Sequence, residues 1–190
     1  MKKLFLVLVC ASSVIAASAQ VKFGVKLGAN LASVSDMEGT KSKFGINGGV
    51  QASMPLGSMF SVAPELVYSS QGAKASEGDG SINLNYINVP VLLQYNNPSG
   101  FFAHTGPQIG FLMSAKSKAG GETTDIKEFV NTTDFSWAIG AGFATQSGFG
   151  FNARYNIGLS KLDKEGDGSS KNGVLQFGIF YNLGGGSEKK

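Results

Sequence analysis

From residue 21 to residue 183 the chain repeats one motif: about ten residues alternating large apolar with small or polar side chains, then a turn. The clearest stretch is 134–160, DFSWAIGAGFATQSGFGFNARYNIGLS. Its odd positions include Phe135, Trp137, Ile139, Phe143, Phe149, Phe151, Tyr155, Ile157 and Leu159; its even positions include Ser136, Gly140, Gly142, Gly150, Asn152, Arg154, Asn156 and Gly158. Successive side chains of a strand point to opposite faces, so each run has one apolar face and one polar face. A sheet of such strands that closes on itself pairs all of its backbone groups, which is what a chain needs to stand in a bilayer without helices.

Eight runs carry the pattern: 21–34, 43–54, 60–71, 82–95, 100–113, 134–145, 148–160 and 174–183. The second, fourth and sixth connections are short and rich in Pro, Gly, Asn and Ser: PLGS, NNPS and the residues around Gln146-Ser147. The first, third, fifth and seventh are longer and charged: SDMEGTKS, GAKASEGDGS, SAKSKAGGETTDIKEFVNTT and KLDKEGDGSSKN. Strict alternation of long and short places the long loops at one end of a barrel and the short turns, with both termini, at the other. The expected fold is all-β, an eight-stranded antiparallel up-and-down transmembrane barrel over 20–183 with a polar tail at 184–190. One run is irregular. In 82–95 the apolar phase jumps from Ile82, Leu84 and Tyr86 to Ile87, Val89, Val91, Leu93 and Tyr95, which predicts a β-bulge or a change of environment near Tyr86-Ile87.

The first nineteen residues read as a secretory signal peptide: Lys2 and Lys3, an apolar stretch to Ile15, and the small residues Ala17-Ser18-Ala19 before Gln20. Without them the chain has no cysteine, because Cys10 is the only one, and its charge falls to +1 from fourteen basic and thirteen acidic residues. That balance, with no basic stripe, is not that of a nucleic-acid binder.

Alternation alone does not say which face meets lipid, and a soluble lipocalin-type barrel is the competing fold. Two features decide against it. A soluble surface is about a quarter to a third charged, yet the polar face here is mostly Gly, Asn, Ser and Gln, with charge crowded into the long loops. The aromatics also fall in two bands, with Phe23, Phe60, Tyr95, Phe101, Phe149 and Tyr181 near the short turns and Phe44, Tyr68, Phe111, Phe135 and Trp137 near the long loops. Such bands are the interfacial girdles of a membrane barrel.

Within the lumen, Lys26, Glu65 and Arg154 lie at similar depths along their strands and are expected to form an ion-pair cluster, since buried charges must be paired. His104, the only histidine, and Gln176 fall on the same face as lumenal polar groups. A Ser-His-acid site at His104 would lie away from any lipid substrate, so no catalytic residue is assigned. Asp163, Glu165, Asp167 and Gly168 resemble the start of a calcium loop, but Val174 stands where the bidentate Glu belongs. No metal or cofactor is expected.

In the last run Gln176, Gly178, Tyr181 and Leu183 have the spacing of a barrel-assembly signal, although GGGSEKK follows it. FGVKLGANLASV, APELVYSSQGAK, LNYINVPVLLQY, GPQIGFLMSAK and GFGFNARYNIGLS together resemble the PorT-type family of small outer-membrane β-barrel proteins across the whole mature chain. The resemblance implies an eight-stranded barrel shaped like OmpA and OmpX and little about activity. The expected role is non-enzymatic, structural or interactive through extracellular loops, chiefly 114–133; the alternative is a small porin or transporter with a narrow lumen. The expected partners are outer-membrane lipids, the barrel-assembly machinery and a protein at those loops. The expected location is the outer membrane of a Gram-negative bacterium, both termini periplasmic.

Overall fold

A computed structural model of the chain describes residues 21–35, 39–164 and 170–183. The signal segment, the 184–190 tail and Glu165, Asp167 and Gly168 of the acidic loop lie outside the described residues. The strands are β1 Lys22–Val34, β2 Thr40–Pro55, β3 Phe60–Ala75, β4 Ser81–Asn96, β5 Phe101–Ala119, β6 Glu122–Asp125, β7 Thr133–Ala144, β8 Phe149–Gly158 and β9 Asn172–Leu183. Their order is β4-β3-β2-β1-β9-β8-β7-β5, and a further β4–β5 pairing closes the ring. Eight of the nine strands therefore form an antiparallel barrel, and β6 only extends β5 as a short hairpin. Closure removes the open edges that a free sheet would present.

The barrel is inside out relative to a soluble core. Leu27 is 66% exposed and Ile46 60%, whereas the inward Asn30 and Ser69 are wholly buried. Rings of both bands face outward: Phe23, Phe60, Phe101, Phe149 and Tyr181 at the short-turn end, Phe44, Tyr68, Phe111, Phe135 and Trp137 at the other. Trp137 Nε1 donates to Thr105 Oγ1 at 2.8 Å, so the indole brings a partner for an outward hydroxyl. Gly100 and Gly148 take φ of 97° and 90° at the short turns, a region that other residues rarely enter.

One expectation needs correction. The fifth connection is not all loop: β5 runs on through Ala119, and β6 pairs with it from Lys116↔Asp125 to Ala119↔Glu122. Charge hid this extension, because the residues lie past the apolar band and need not alternate.

The irregularity expected near Tyr86-Ile87 is present, although the inward positions of β4 themselves continue without a slip through Leu84, Tyr86, Asn88, Pro90 and Leu92. The register shift lies between Asn85↔Ser114 and Tyr86↔Leu112, so the extra residue is Met113 of β5. What changes near Tyr86 is the environment of the inner face. At the long-loop end that face is apolar, a core of Val34, Ala73, Leu84, Tyr86, Leu112, Ala115, Val130 and Leu162. Val130 and Leu162 come from the two longest connections, which fold over the barrel mouth and meet in the Val130↔Asp163 bridge.

Candidate functional site

Three inward glycines, Gly140, Gly142 and Gly150, receive side chains from neighbouring strands. A Cβ at Gly142 would lie 2.4 Å from the Phe102 ring, and one at Gly150 would lie 2.2 Å from the Phe180 ring. At Gly140 the occupant is the His104 imidazole, whose Nε2 would be 2.5 Å from such a Cβ. Phe102 stacks on His104 at a centroid distance of 5.7 Å and meets Phe180 edge-on at 5.8 Å. These three rings line one side of the lumen, a feature hidden in the sequence because a glycine does not announce what will cover it.

Midway along the lumen the structure brings Lys26, Glu65 and Arg154 together. Lys26 Nζ lies 2.8 Å from Glu65 Oε2, and Arg154 Nη2 lies 3.0 Å from the same oxygen. All three side chains are almost fully buried. Two cations share one carboxylate, so the cluster carries a net positive charge in a low-dielectric setting.

Gln176 joins this cluster to a longer polar column. Its Oε1 accepts from Arg154 Nε at 3.2 Å, and its Nε2 donates to Asn30 Oδ1 at 3.1 Å. Asn30 in turn accepts from Asn47 Nδ2 at 2.7 Å and donates to Ser69 Oγ at 2.9 Å. Gln71 donates to Ser69 Oγ at 2.9 Å and accepts from Asn172 Nδ2. Asn30, Asn47, Ser69 and Gln71 occupy inward positions of their runs, and Asn172 continues the inward parity of the last run; shared parity and uncharged polar side chains were the available signal. Gly178, Tyr181 and Leu183 stand farther along β9, the last two outward and exposed near the short-turn end.

Below the cluster a cavity of about 420 Å³ reaches the short turns. Glu65 and His104 floor it, Phe102 and Phe180 form part of its wall, and Lys22 stands at the rim. Above the cluster the amide column and the apolar core close the long-loop end. Among the described residues no group of three or more His, Cys, Asp or Glu side chains could hold a metal ion.

A family model described as "Outer membrane protein beta-barrel domain" matches residues 16–164. Neisserial surface protein A is similar in structure, with a TM-score of 0.61 at 16% identity, covering 85% of this chain and 97% of its own. Ail, the attachment invasion locus protein of Yersinia pestis, in complex with the heparin analogue sucrose octasulfate, gives a TM-score of 0.53 at 18% identity, covering 86% of this chain and 99% of its own. At these identities the likeness concerns the fold. A comparison with the curated proteins finds no match.

Proposed function

The chain belongs to the outer membrane protein β-barrel domain family, and we propose that it acts there as a non-enzymatic interaction protein whose working surface is its long-loop end. One observation carries this reading. Phe129, in the turn Lys127–Phe129, is 69% exposed, while its neighbour Val130 is buried in the core beneath it. A large apolar ring held out on an anchored loop is the usual form of a binding anchor. Around it stand exposed groups of both signs, including Lys116, Lys118, Glu122, Asp125 and Glu128, a mixture suited to a protein partner.

In this reading the loops are extracellular, both termini are periplasmic and the chain arrives by a cleaved signal peptide. Lipids cover its apolar face, and the assembly machinery reads Gln176, Gly178, Tyr181 and Leu183. Its strand motifs group it with the PorT-type barrels. Crosslinking on intact cells tests the central claim: the wild-type chain is expected to capture a protein that Phe129→Ser and a deletion of 120–129 both lose. Identical crosslinked products from all three chains would refute it.

A further inference from the structure

On the outer side of the barrel, past the aromatic girdle of the long-loop end, three lysines stand in one row. Lys41 of β2 pairs with Lys74 of β3, and Ser81 of β4 pairs with both Lys74 and Lys118 of β5. Cross-strand partners share a face, and Ala73, one residue before Lys74, is buried in the inner core, so the row points outward. All three lysines are exposed. We propose that this row binds the phosphate groups of a phosphorylated glycolipid headgroup in the outer leaflet. The proposal rests on the outer placement of the long loops in the reading above, but not on a protein partner at Phe129.

Charge is the first argument. Lys41 and Lys74 lie directly opposite each other, an arrangement of like charges that costs stability. Among the described residues both ion pairs converge on Glu65, so no carboxylate relieves this repulsion at close range. Lys41 Nζ donates to the Ser76 carbonyl at 3.1 Å, which steadies the amine and leaves two of its hydrogens free. Lys43, buried behind the row, adds its charge within reach of Lys74 and Lys118. Glu77 and Asp79 lie in the turn above, and Asp125 pairs with Lys116 on the far side of β5. The charge is therefore positive toward the membrane, and a bound anion would remove the cost of the paired lysines.

Height selects the kind of anion. Lys74 follows the girdle residue Tyr68 by six residues, and Lys118 follows Phe111 by seven. At about 3.4 Å per residue and a strand tilt of about 40°, the row stands about 15 Å above the girdle. The interfacial zone of a bilayer reaches only about 5–8 Å beyond the hydrocarbon, so the phosphate of an ordinary phospholipid lies too low. A glycolipid can carry sugar phosphates at that height. Width agrees, because from β2 to β5 the row crosses about 14 Å of sheet, more than a single phosphate fills.

Native mass spectrometry of the full chain released from detergent micelles tests the site. The probes are rough lipopolysaccharide, the same lipid dephosphorylated with hydrofluoric acid, phosphatidylglycerol, and soluble pyrophosphate as competitor. Rough lipopolysaccharide is expected to bind at least about tenfold more tightly than the dephosphorylated lipid or phosphatidylglycerol. A Lys41→Gln, Lys74→Gln double variant should lose about tenfold of that affinity; Lys118→Gln replaces it if it does not fold. A Lys161→Gln, Lys171→Gln variant removes the same charge from the connection after β8 and should bind as the wild type does. So should Phe129→Ser, which lets this site and the protein-partner reading fail separately. Equal retention of the three lipids, equal losses from the two double variants, or displacement by equimolar pyrophosphate would overturn the proposal.

Discussion

Glu65 meets both Lys26 and Arg154 through one oxygen, and this asymmetry predicts unequal costs for removing its members. Glu65→Ala leaves two buried cations without a counter-charge, and breaking a buried pair in this way costs about 3–5 kcal/mol. Lys26→Met instead leaves a balanced pair of Glu65 and Arg154 and should change stability by less than about 1.5 kcal/mol. Urea unfolding from lipid vesicles, followed by the fluorescence of Trp137, the only tryptophan, measures both. Equal losses would show that charge balance does not govern the cluster. Gly150 makes a second prediction at this scale. A Cβ there would meet both the Phe180 ring at 2.2 Å and the Phe143 carbonyl oxygen at 2.6 Å. The ring can turn away but the carbonyl belongs to the paired neighbour, so Gly150→Ala should lower stability in the same assay by about 1–3 kcal/mol, as overpacking does. Parity and depth along the strands made the juxtaposition of Lys26, Glu65 and Arg154 legible in advance. The covering of Gly140, Gly142 and Gly150 was not legible, because it depends on which neighbouring side chain leans across the strand gap.

Strand positions followed from alternation wherever lipid enforces it: β1, β3, β4, β5, β7, β8 and β9 begin within two residues of their expected starts. Beyond the apolar band that constraint lapses, and there the reading failed, at the continuation of β5 and at the short β6. The inward phase of β4 was obscured for a related reason. Leu84 and Tyr86 face a local apolar core, while Val91 and Leu93 face lipid, so both parities carry apolar residues. The lid over that core is fastened by Asn131, whose Nδ2 donates to the carbonyls of Lys161 at 2.9 Å and Asp163 at 3.0 Å. Each such bond contributes about 0.5–1.5 kcal/mol. Asn131→Ala should therefore leave the barrel folded but open the lid more often, raising the rate of trypsin cleavage after Lys161 and Lys164 by about tenfold. An unchanged rate would mean that the packing of Val130 and Leu162 alone holds the lid.

Taken as a whole, the barrel contains two obstacles in series. The first is polar, the shared carboxylate cluster and the amide column that begins at Gln176; the second is the apolar core under the lid. They resist ions by different physics. Crossing the cluster requires displacing paired charges, whereas crossing the core requires shedding hydration with no polar group to replace it. Obstacles in series add as resistances, so removing one leaves the other in control. In planar bilayers the wild-type chain is expected to show no discrete conductance steps. Arg154→Ser retains the Lys26–Glu65 pair and the whole core and should also be silent; a Tyr86→Gly, Leu112→Gly double variant retains the cluster and should behave alike. Only the combination of all three substitutions should conduct, because only it thins both barriers at once. Steps from the wild-type chain would overturn the closed reading in favour of a narrow pore, and steps from either partial variant would show that one obstacle alone keeps the lumen shut.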